Sequence, residues 1–224
     1  MMSFISYFIN GLSLGSVYAI IALGYTMVYG IAKMLNFAHG DDIMIGGYVV
    51  FTVVSTMGLP PAVGILLAVI ICTVLGVTIE KVAYRPLRMA SPLAVLITAI
   101  GVSYLLQNIA LLVFGSNPKS FTSVVTIPAL KLAGGRLTIS GETLVTIVSC
   151  IVIMIVLTTF IKQTRAGQAM LAVSEDKGAA QLMGINVDGT IALTFAIGSA
   201  LAAIAGTLLC SAYPTLTPYT GSMP

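Results

Sequence analysis

The sequence predicts an all-α integral membrane protein, a polytopic helical bundle of about six transmembrane spans. Of its 224 residues, 58% are hydrophobic and only 8% are charged, and the mean hydropathy is +1.08. Soluble domains carry about 25% charged residues, so this chain lacks the polar surface that water requires. The apolar residues also form continuous segments bounded by polar or helix-breaking residues. We therefore predict a single transmembrane domain over residues 1–224.

Every hydrophobic segment except the second reaches the roughly 17–25 residues that cross a bilayer as an α-helix. The second segment is short. It either begins inside the polar stretch that precedes it or forms a partial, re-entrant helix, and the sequence leaves both interpretations open. The six segments are Phe4–Ile31, Ile43–Met57, Ala62–Ile79, Leu93–Phe114, Thr143–Ile161 and Thr190–Tyr213.

The basic residues predict the orientation of the chain, because Lys and Arg concentrate in cytoplasmic loops. If every segment crosses, the N-terminus is outside, the loop over 162–189 is cytoplasmic and the loop over 115–142 is external. A re-entrant second segment would reverse the N-terminal half but leave the 162–189 loop inside. The inner set is Lys33, Lys81, Arg85, Arg88, Lys162, Arg165 and Lys177, and the outer set is Lys119, Lys131 and Arg136.

The external loop over 115–142 contains a predicted β-hairpin. Ala129–Ala133 and Arg136–Ser140 are joined by the Gly134–Gly135 pair, which is typical of a two-residue turn. This loop either caps the outer ends of the helices or provides a docking surface for an external partner.

Small residues predict where helices pack closely. In lipid the hydrophobic effect does little to join helices, so close backbone contact and side-chain hydrogen bonds must do so. Gly11 and Gly15 form a GxxxG pair in the first segment, and Gly198, Ala202 and Gly206 recur at every fourth position of the last. We assign these five residues to helix packing.

Polar residues in the fourth segment have two interpretations. Thr98, Ser103, Gln107 and Asn108 either form hydrogen bonds between helices or line a path for a solute, because polar groups at that depth avoid lipid. Gln107 and Asn108 are the candidates for the path.

The sequence also lacks features that several function classes need. The later spans contain no charged residue for coupling to an ion gradient, and there is no G-x-x-x-x-G-K-[ST] loop for ATP. Cys72, Cys150 and Cys210 have no paired or metal-like spacing. The net charge of +3 comes from isolated basic residues and does not indicate nucleic-acid binding. We predict no metal site, no cofactor and no catalysis by this chain.

The motif LNFAHGDD over residues 35–42 contains the only His of the chain and two adjacent acids. Asn36 can cap one helix, and Asp41 or Asp42 can cap the next, where the helix dipole favours negative charge. We therefore give these residues a structural role, since a single His with two carboxylates lacks further metal ligands and no nucleophile–base pair is present.

The loop over 162–189 contains a predicted helical module. Ser174 is a suitable N-cap, Glu175 and Asp176 suit the first turn, and Gly184 suits the C-terminal end. A second short helix over about 168–173 precedes it. The longer helix is too short to be stable alone in water.

This predicted helix has an apolar stripe of Ala179, Leu182 and Met183. Such a helix either lies on the membrane surface or is held in a groove of a soluble partner, and the second interpretation fits better. Because the spans lack other means of using energy, this loop is where energy would enter.

Three motifs in order along the chain resemble one protein family. They are NGLSLGSVYAI over 10–20, LNFAHGD over 35–41 and AQLMGIN over 180–186. The chain resembles the permeases of high-affinity branched-chain amino acid importers of the ABC type. Gly178, Ala179, Ala180 and Gly184 also resemble the coupling loop of ABC importer permeases, although that pattern has Glu at the position of Gly178.

This resemblance implies a subunit of the bacterial or archaeal inner membrane that pairs with a second, related permease. Two cytoplasmic ATP-binding subunits would bind the coupling loops, and an external binding protein would deliver leucine, isoleucine or valine. The coupling residues would be Glu175, Ala179, Ala180, Leu182 and Gly184. Such permeases usually continue further, so a chain that stops at Pro224 is expected to be truncated at its C-terminus.

Other functions remain open from the sequence alone. Importers of urea or short-chain amides share the same permease motifs, so the substrate class is not decided by the resemblance. A passive channel or facilitator would also suit uncharged spans with polar side chains. A membrane-embedded enzyme is the weakest alternative, because no catalytic triad or metal cluster is visible.

Overall fold

The computed structural model describes residues 2–88, 90–121, 123–125, 130–132 and 137–222. Helices dominate these residues. The α-helices are α1 (Met2–Ala32), α2 (Ala38–Phe51), α3 (Pro61–Ile79), α4 (Pro92–Phe114), α5 (Gly141–Gln163), α6 (Arg165–Glu175), α7 (Lys177–Leu182) and α8 (Val187–Ala212). The short strands are β1 (Lys119–Ser120), β2 (Leu130–Leu132), β3 (Leu137–Ile139) and β4 (Thr215–Leu216).

Five of these helices are long and apolar enough to cross a membrane. They are α1, α4, α5, α8 and α3 together with its extension to Leu87, which consists of a π-helical turn and a 3₁₀ turn. The prediction of an all-α polytopic membrane protein is therefore confirmed. The second predicted segment, which corresponds to α2, is the exception.

Helix α8 lies at the centre of the bundle and packs against α1, α2 and α3. Small residues allow this close approach. A Cβ added at Gly198 would lie 2.8 Å from Val28 Cγ2, and one at Gly206 would lie 2.3 Å from the Ile43 carbonyl oxygen. Ala202, between them, is fully buried. The structure thus places the predicted packing residues of the last segment, Gly198, Ala202 and Gly206, at helix contacts.

Gly11 and Gly15 are arranged differently. Neither is buried, and a Cβ added at either would meet nothing within 4 Å. The reason is that α1 turns its opposite face, which includes Val17 and Val28, into the bundle. Among the described residues no helix lies against this glycine pair, so their predicted packing role is not fulfilled within the chain.

Helix α2 begins inside the bundle at about half its depth. His39 Nε2 lies 3.3 Å from the Ile21 carbonyl oxygen, and Ile21 precedes the end of α1 by about three turns, or roughly 16 Å. Asp42 contacts Ser199, which lies midway along α8. The non-helical residues 33–36 and the residues that follow them therefore lead back from the end of α1 to this depth.

This geometry answers the question about the second segment. Helix α2 starts inside the polar motif, as one interpretation supposed. Its helical part covers only part of the bundle's depth, but it is not the re-entrant helix of the other interpretation, because the segment continues to the opposite end. It runs parallel to α8, since Gly46 meets Ala203 and Gly47 meets Cys210 further along α8. A π-helical turn over Thr52–Thr56 continues it to the end opposite to that of residue 33.

Contacts between distant loops show which helix ends share a face of the bundle. Lys177 Nζ donates to the Ala32 carbonyl oxygen at 2.7 Å, and Arg85 and Arg88 form salt bridges with Asp188. We call this side the basic face. Lys119 lies at the other end, where β1 pairs with β4. These basic residues therefore separate between the two ends in the predicted way, whereas Arg136 of the predicted outer set lies outside the described residues.

The predicted hairpin in the loop over 115–142 is present. Strands β2 and β3 are antiparallel, and Leu130 pairs with Ile139, Lys131 with Thr138 and Leu132 with Leu137. The predicted Gly134–Gly135 turn lies outside the described residues. Pairing of β1 with β4, which joins this loop to the segment after α8, was not predicted because the strands are two residues long and far apart in sequence.

The small residues of α8 give a test of this packing. We expect Gly206→Ala to destabilise the protein by about 1–3 kcal/mol, because the new Cβ would push α8 away from the α2 backbone. Thermal unfolding of the purified protein in detergent measures the change. Gly15→Ala is the matched control and should not destabilise it. Equal effects of the two substitutions would contradict the arrangement.

Candidate functional site

Polar side chains meet in the middle of the bundle, where α2 begins. We define the central polar cluster as His39, Asp41, Asp42, Gln107 and Ser199, and all five are buried. They come from three helices, because the start of α2 lies between the middle of α4 and the middle of α8. Polar and ionisable groups at such depth are costly and usually mark a functional site.

Hydrogen bonds join the cluster to the surrounding helices. Gln107 Nε2 donates to Asp41 Oδ1 at 3.0 Å, which links α4 to α2. It also donates to Ser103 Oγ within α4 at 3.1 Å. Ser199 Oγ donates to Asp42 Oδ2 at 2.6 Å, which links α8 to α2. Each carboxylate is therefore bonded through one of its two oxygens, and the Ser103 side chain also lies near Asp41.

The remaining polar atoms of the cluster are unpaired. Asp41 Oδ2, Asp42 Oδ1 and His39 Nδ1 are buried without a hydrogen-bond partner among the described residues. None of the salt bridges among the described residues involves Asp41 or Asp42. Burying an unpaired carboxylate oxygen is costly, so these atoms are suited to receive a further group.

A cavity of about 570 Å³ lies beside the cluster, between α1 and α4. This volume is within the usual range for small-molecule sites. Helix α1 packs against α5 and α8, whereas α4 packs against α2, which leaves the space between them. The lining residues are Tyr18, Ile21, Ala22, Tyr25, Asn36, Phe37, His39, Gly40, Asp41, Ile43, Ser103 and Gly221.

The two predicted pathway residues lie on different faces of α4. Gln107 is buried in the cluster, whereas Asn108 is exposed and donates to the Tyr104 carbonyl oxygen at 2.7 Å. Successive residues of an α-helix point about 100° apart, so adjacent residues rarely share one face. The structure brings Gln107 to the cluster beside the cavity and leaves Asn108 away from it.

The capping roles predicted for the LNFAHGDD motif are wrong. The N-cap of α2 is Phe37, and no side chain caps that end. Asn36 instead accepts a hydrogen bond from the Tyr84 hydroxyl at 3.0 Å, and the two aspartates bind α4 and α8. Asp41 and Asp42 were therefore missed as site residues at the sequence level, although two acids beside a long uncharged segment were a usable signal.

The helical module at the basic face consists of α6 and α7, and the boundary between these two helices differs from the prediction. Asp176 caps α7, since its Oδ1 accepts from the backbone N–H of Gly178 at 2.7 Å and of Ala179 at 2.9 Å. Ser174, the predicted N-cap, lies in α6 and donates to the Leu171 carbonyl oxygen. Glu175 is the last residue of α6, so it is not in the first turn of the coupling helix.

The predicted coupling residues also differ in exposure. Ala180 is only 4% exposed and packs with Met170 and Val173 of α6. Leu182 is 91% exposed and Met183 is 82% exposed. Glu175, Ala179 and Gly184 are exposed as well. We call Ala179, Leu182 and Met183 the apolar patch, and Ala180 supports it from inside.

Gly184 ends this module as predicted. Its φ of +83° is a left-handed conformation that favours glycine, and its N–H donates to the Gln181 carbonyl oxygen at 3.0 Å. The chain then turns into α8, whose first turn is capped by Asn186.

The module is tied to the ends of the membrane helices. Lys177 contacts the end of α1, and its pKa is lowered by burial and by the nearby charges of Arg88 and Lys33. Arg88 also forms salt bridges with Glu80 in the extension of α3 and with Asp188 in α8. The module is therefore joined to α1 through Lys177 and to α8 through the packing of α6 and α7 against it, while Arg88 separately joins α3 to α8.

Comparison with known proteins matches residues 7–223 to the permease component of branched-chain amino acid transport systems. The chain belongs to this family of permeases. The resemblance inferred from the three sequence motifs is thus confirmed over nearly the whole chain.

Several curated relatives align with this permease over most of its length. The high-affinity branched-chain amino acid transport system permease protein LivH of Escherichia coli K12 is 42% identical over 98% of the chain and 75% of the relative. The corresponding protein BraD of Pseudomonas aeruginosa is 42% identical over 95% of the chain and 73% of the relative. A probable LivH of Methanocaldococcus jannaschii is 28% identical over 85% and 61%, respectively. No solved structure matches the chain.

The permease has polar side chains in its central cavity but no arrangement for metal chemistry in the part of the chain that the structure describes. No group of three or more His, Cys, Asp or Glu residues there could hold a metal ion. The three cysteines are free and separated.

The bond between Ser199 and Asp42 can be tested by removing one hydroxyl. We expect Ser199→Ala to destabilise the permease by about 1–3 kcal/mol, because both oxygens of a buried carboxylate would then lack a partner. Thermal unfolding in detergent measures the effect. Thr78→Val removes an exposed hydroxyl from α3 and should change stability much less. A neutral Ser199→Ala would contradict the assigned role.

Proposed function

We propose that this chain is a pathway-forming permease subunit of an ATP-driven importer for leucine, isoleucine and valine. The main support is the 42% identity over nearly the whole chain to relatives whose names specify high-affinity transport of branched-chain amino acids. The cavity beside the central polar cluster is consistent with a solute path. LivH and BraD are named for branched-chain amino acids and not for urea or amides, so the branched-chain substrates are favoured over that alternative.

The proposed assembly contains a second, related permease, two cytoplasmic ATP-binding subunits and an external binding protein. The chain itself would not be an enzyme and would need no cofactor, since the ATP-binding subunits would bind and hydrolyse ATP. The absence of a phosphate-binding G-x-x-x-x-G-K-[ST] motif from its sequence supports this division of labour.

The proposed location is the inner membrane of the cell, with the basic face in the cytoplasm. Seven of the ten basic residues belong to the loops and helix ends of that face, which agrees with the preference of Lys and Arg for the cytoplasmic side. The module formed by α6 and α7 would then lie where ATP-binding subunits can reach it.

The apolar patch would be the contact with one ATP-binding subunit. Ala179, Leu182 and Met183 are exposed in a short helix at an aqueous face, and burial of such residues in a partner's groove is favourable. Closure of the ATP-binding pair would move α7. The bond from Lys177 to α1 and the packing of α6 and α7 against α8 would transmit this movement to the helices around the cavity.

Leu182 is the best position for a test of this contact. We expect Leu182→Asp to reduce ATP-driven leucine uptake by at least about tenfold, because burial of an unpaired carboxylate opposes docking while an exposed side chain contributes little to folding. Uptake into vesicles that contain the complete transporter, and co-purification of the ATP-binding subunits, measure the effect.

Leu182→Met is the matched control, since it keeps the patch apolar and should retain uptake and co-purification. Normal uptake by the Leu182→Asp variant would refute the docking role. Ala180 is unsuitable for this experiment, because its side chain is buried within the module and Ala180→Arg would disrupt internal packing.

A further inference from the structure

We propose that the cavity between α1 and α4 binds the transported amino acid as a zwitterion, with its α-ammonium group against Asp41 Oδ2. Its α-carboxylate would face the N-terminal turn of α2. This inference rests on the proposed function, because it identifies the cavity as the binding site on the transport pathway and assigns the residue that recognises the ammonium group.

The geometry of Asp41 is the first argument. The residue is 1% exposed, yet it lines the cavity, and its Oδ1 is occupied by Gln107 while its Oδ2 has no hydrogen-bond partner among the described residues. Gln107 therefore fixes the carboxylate and leaves one oxygen for a ligand. A carboxylate oxygen only accepts hydrogen bonds, so the missing partner must be a donor.

The charge balance of the site is the second argument. No lysine or arginine among the described residues forms a salt bridge with Asp41 or Asp42. A buried carboxylate at membrane depth is stabilised best by a cationic donor. A primary ammonium group supplies both the positive charge and the N–H donors that Oδ2 lacks.

The start of α2 is the third argument. The first N–H groups of a helix attract anions, and half-helices that begin at mid-membrane use this in transporters. The N-terminus of α2 has no side-chain cap, and its Phe37 and Gly40 line the cavity. A ligand carboxylate placed there would lie within the same cavity as the Asp41 carboxylate.

The rest of the lining suits an apolar side chain. Tyr18, Ile21, Ala22 and Tyr25 of α1 form the wall opposite Ser103 of α4. These residues offer apolar surface and aromatic rings, but no charge. The cavity thus combines a negative group, a helix N-terminus and an apolar wall, which together match the parts of a leucine zwitterion.

Direct binding to the complete transporter without its external binding protein tests the proposal, because that protein would otherwise select the ligand. Calorimetric titration would compare leucine with 4-methylpentanoate, which lacks the ammonium group, and with leucinamide, which lacks the carboxylate. We expect leucine to bind at least about tenfold more tightly than 4-methylpentanoate, as a charge-assisted hydrogen bond would require. Leucinamide should bind more weakly than leucine, and its affinity should still fall when Asp41 is replaced.

The matched variants separate the charge of Asp41 from general damage. Asp41→Asn should weaken leucine and leucinamide binding by at least about tenfold, whereas it should not weaken binding of 4-methylpentanoate, an anion without an ammonium group for Asp41 to bind. Glu142→Gln makes the same change from acid to amide in the first turn of α5, away from the cavity lining, and leucine affinity should stay within about twofold of the wild type because the sites are distant. If Asp41→Asn does not fold, the affinities of the three ligands for the wild-type protein still test the proposal.

The failures of the two proposals are distinguishable. Equal affinity for leucine and 4-methylpentanoate, or leucine binding that Asp41→Asn leaves intact, would overturn the assignment of the ammonium group to Asp41. Binding of none of the three ligands would overturn the cavity as a substrate site. ATP-driven leucine uptake by the complete transporter would still support the proposed function in these cases, whereas its absence would count against that function itself.

Discussion

The polar groups at the start of α2 lie at about half the depth of the helical bundle, and much of the bundle is arranged to satisfy them. Lipid offers no hydrogen bonds, so irregular backbone and carboxylates at this depth must be enclosed by protein. Gln107 of α4 and Ser199 of α8 each bind one aspartate of α2. The small residues Gly46 and Gly206 allow α2 and α8 to come close enough for these bonds.

The same arrangement connects the cavity with the basic face. Helix α8 carries Ser199 at its centre and Asp188 in its first turn, where Arg85 and Arg88 bind it. Helix α1 lines the cavity with Tyr18 and meets Lys177 at its end. Helix α7 at the basic face is therefore joined to the central polar cluster through two continuous helices, α1 and α8.

The helical nature of the chain, the five long spans, the outer hairpin and the end of the coupling module at Gly184 were predictable, because each depends on local hydrophobicity or turn chemistry. The exact capping residues were not. Ser174 and Asp176 are both residue types that favour the N-cap position. Only Asp176 has the extended backbone of an N-cap residue, whereas Ser174 lies within α6. Likewise Ala180 and Leu182 are both apolar, and only the packing against α6 shows which one is buried.

By itself the sequence determined that this is a membrane-spanning helical protein with a segregated basic face, and its motifs indicated the family. Only the tertiary structure decided that Asp41 and Asp42 belong to a buried polar cluster beside a cavity and are not helix caps. The physical reason is that hydropathy and turn propensities act over a few residues, whereas the bonds of these aspartates are made with Gln107 and Ser199, far away in the chain. A helix that starts at mid-membrane is defined by such distant contacts.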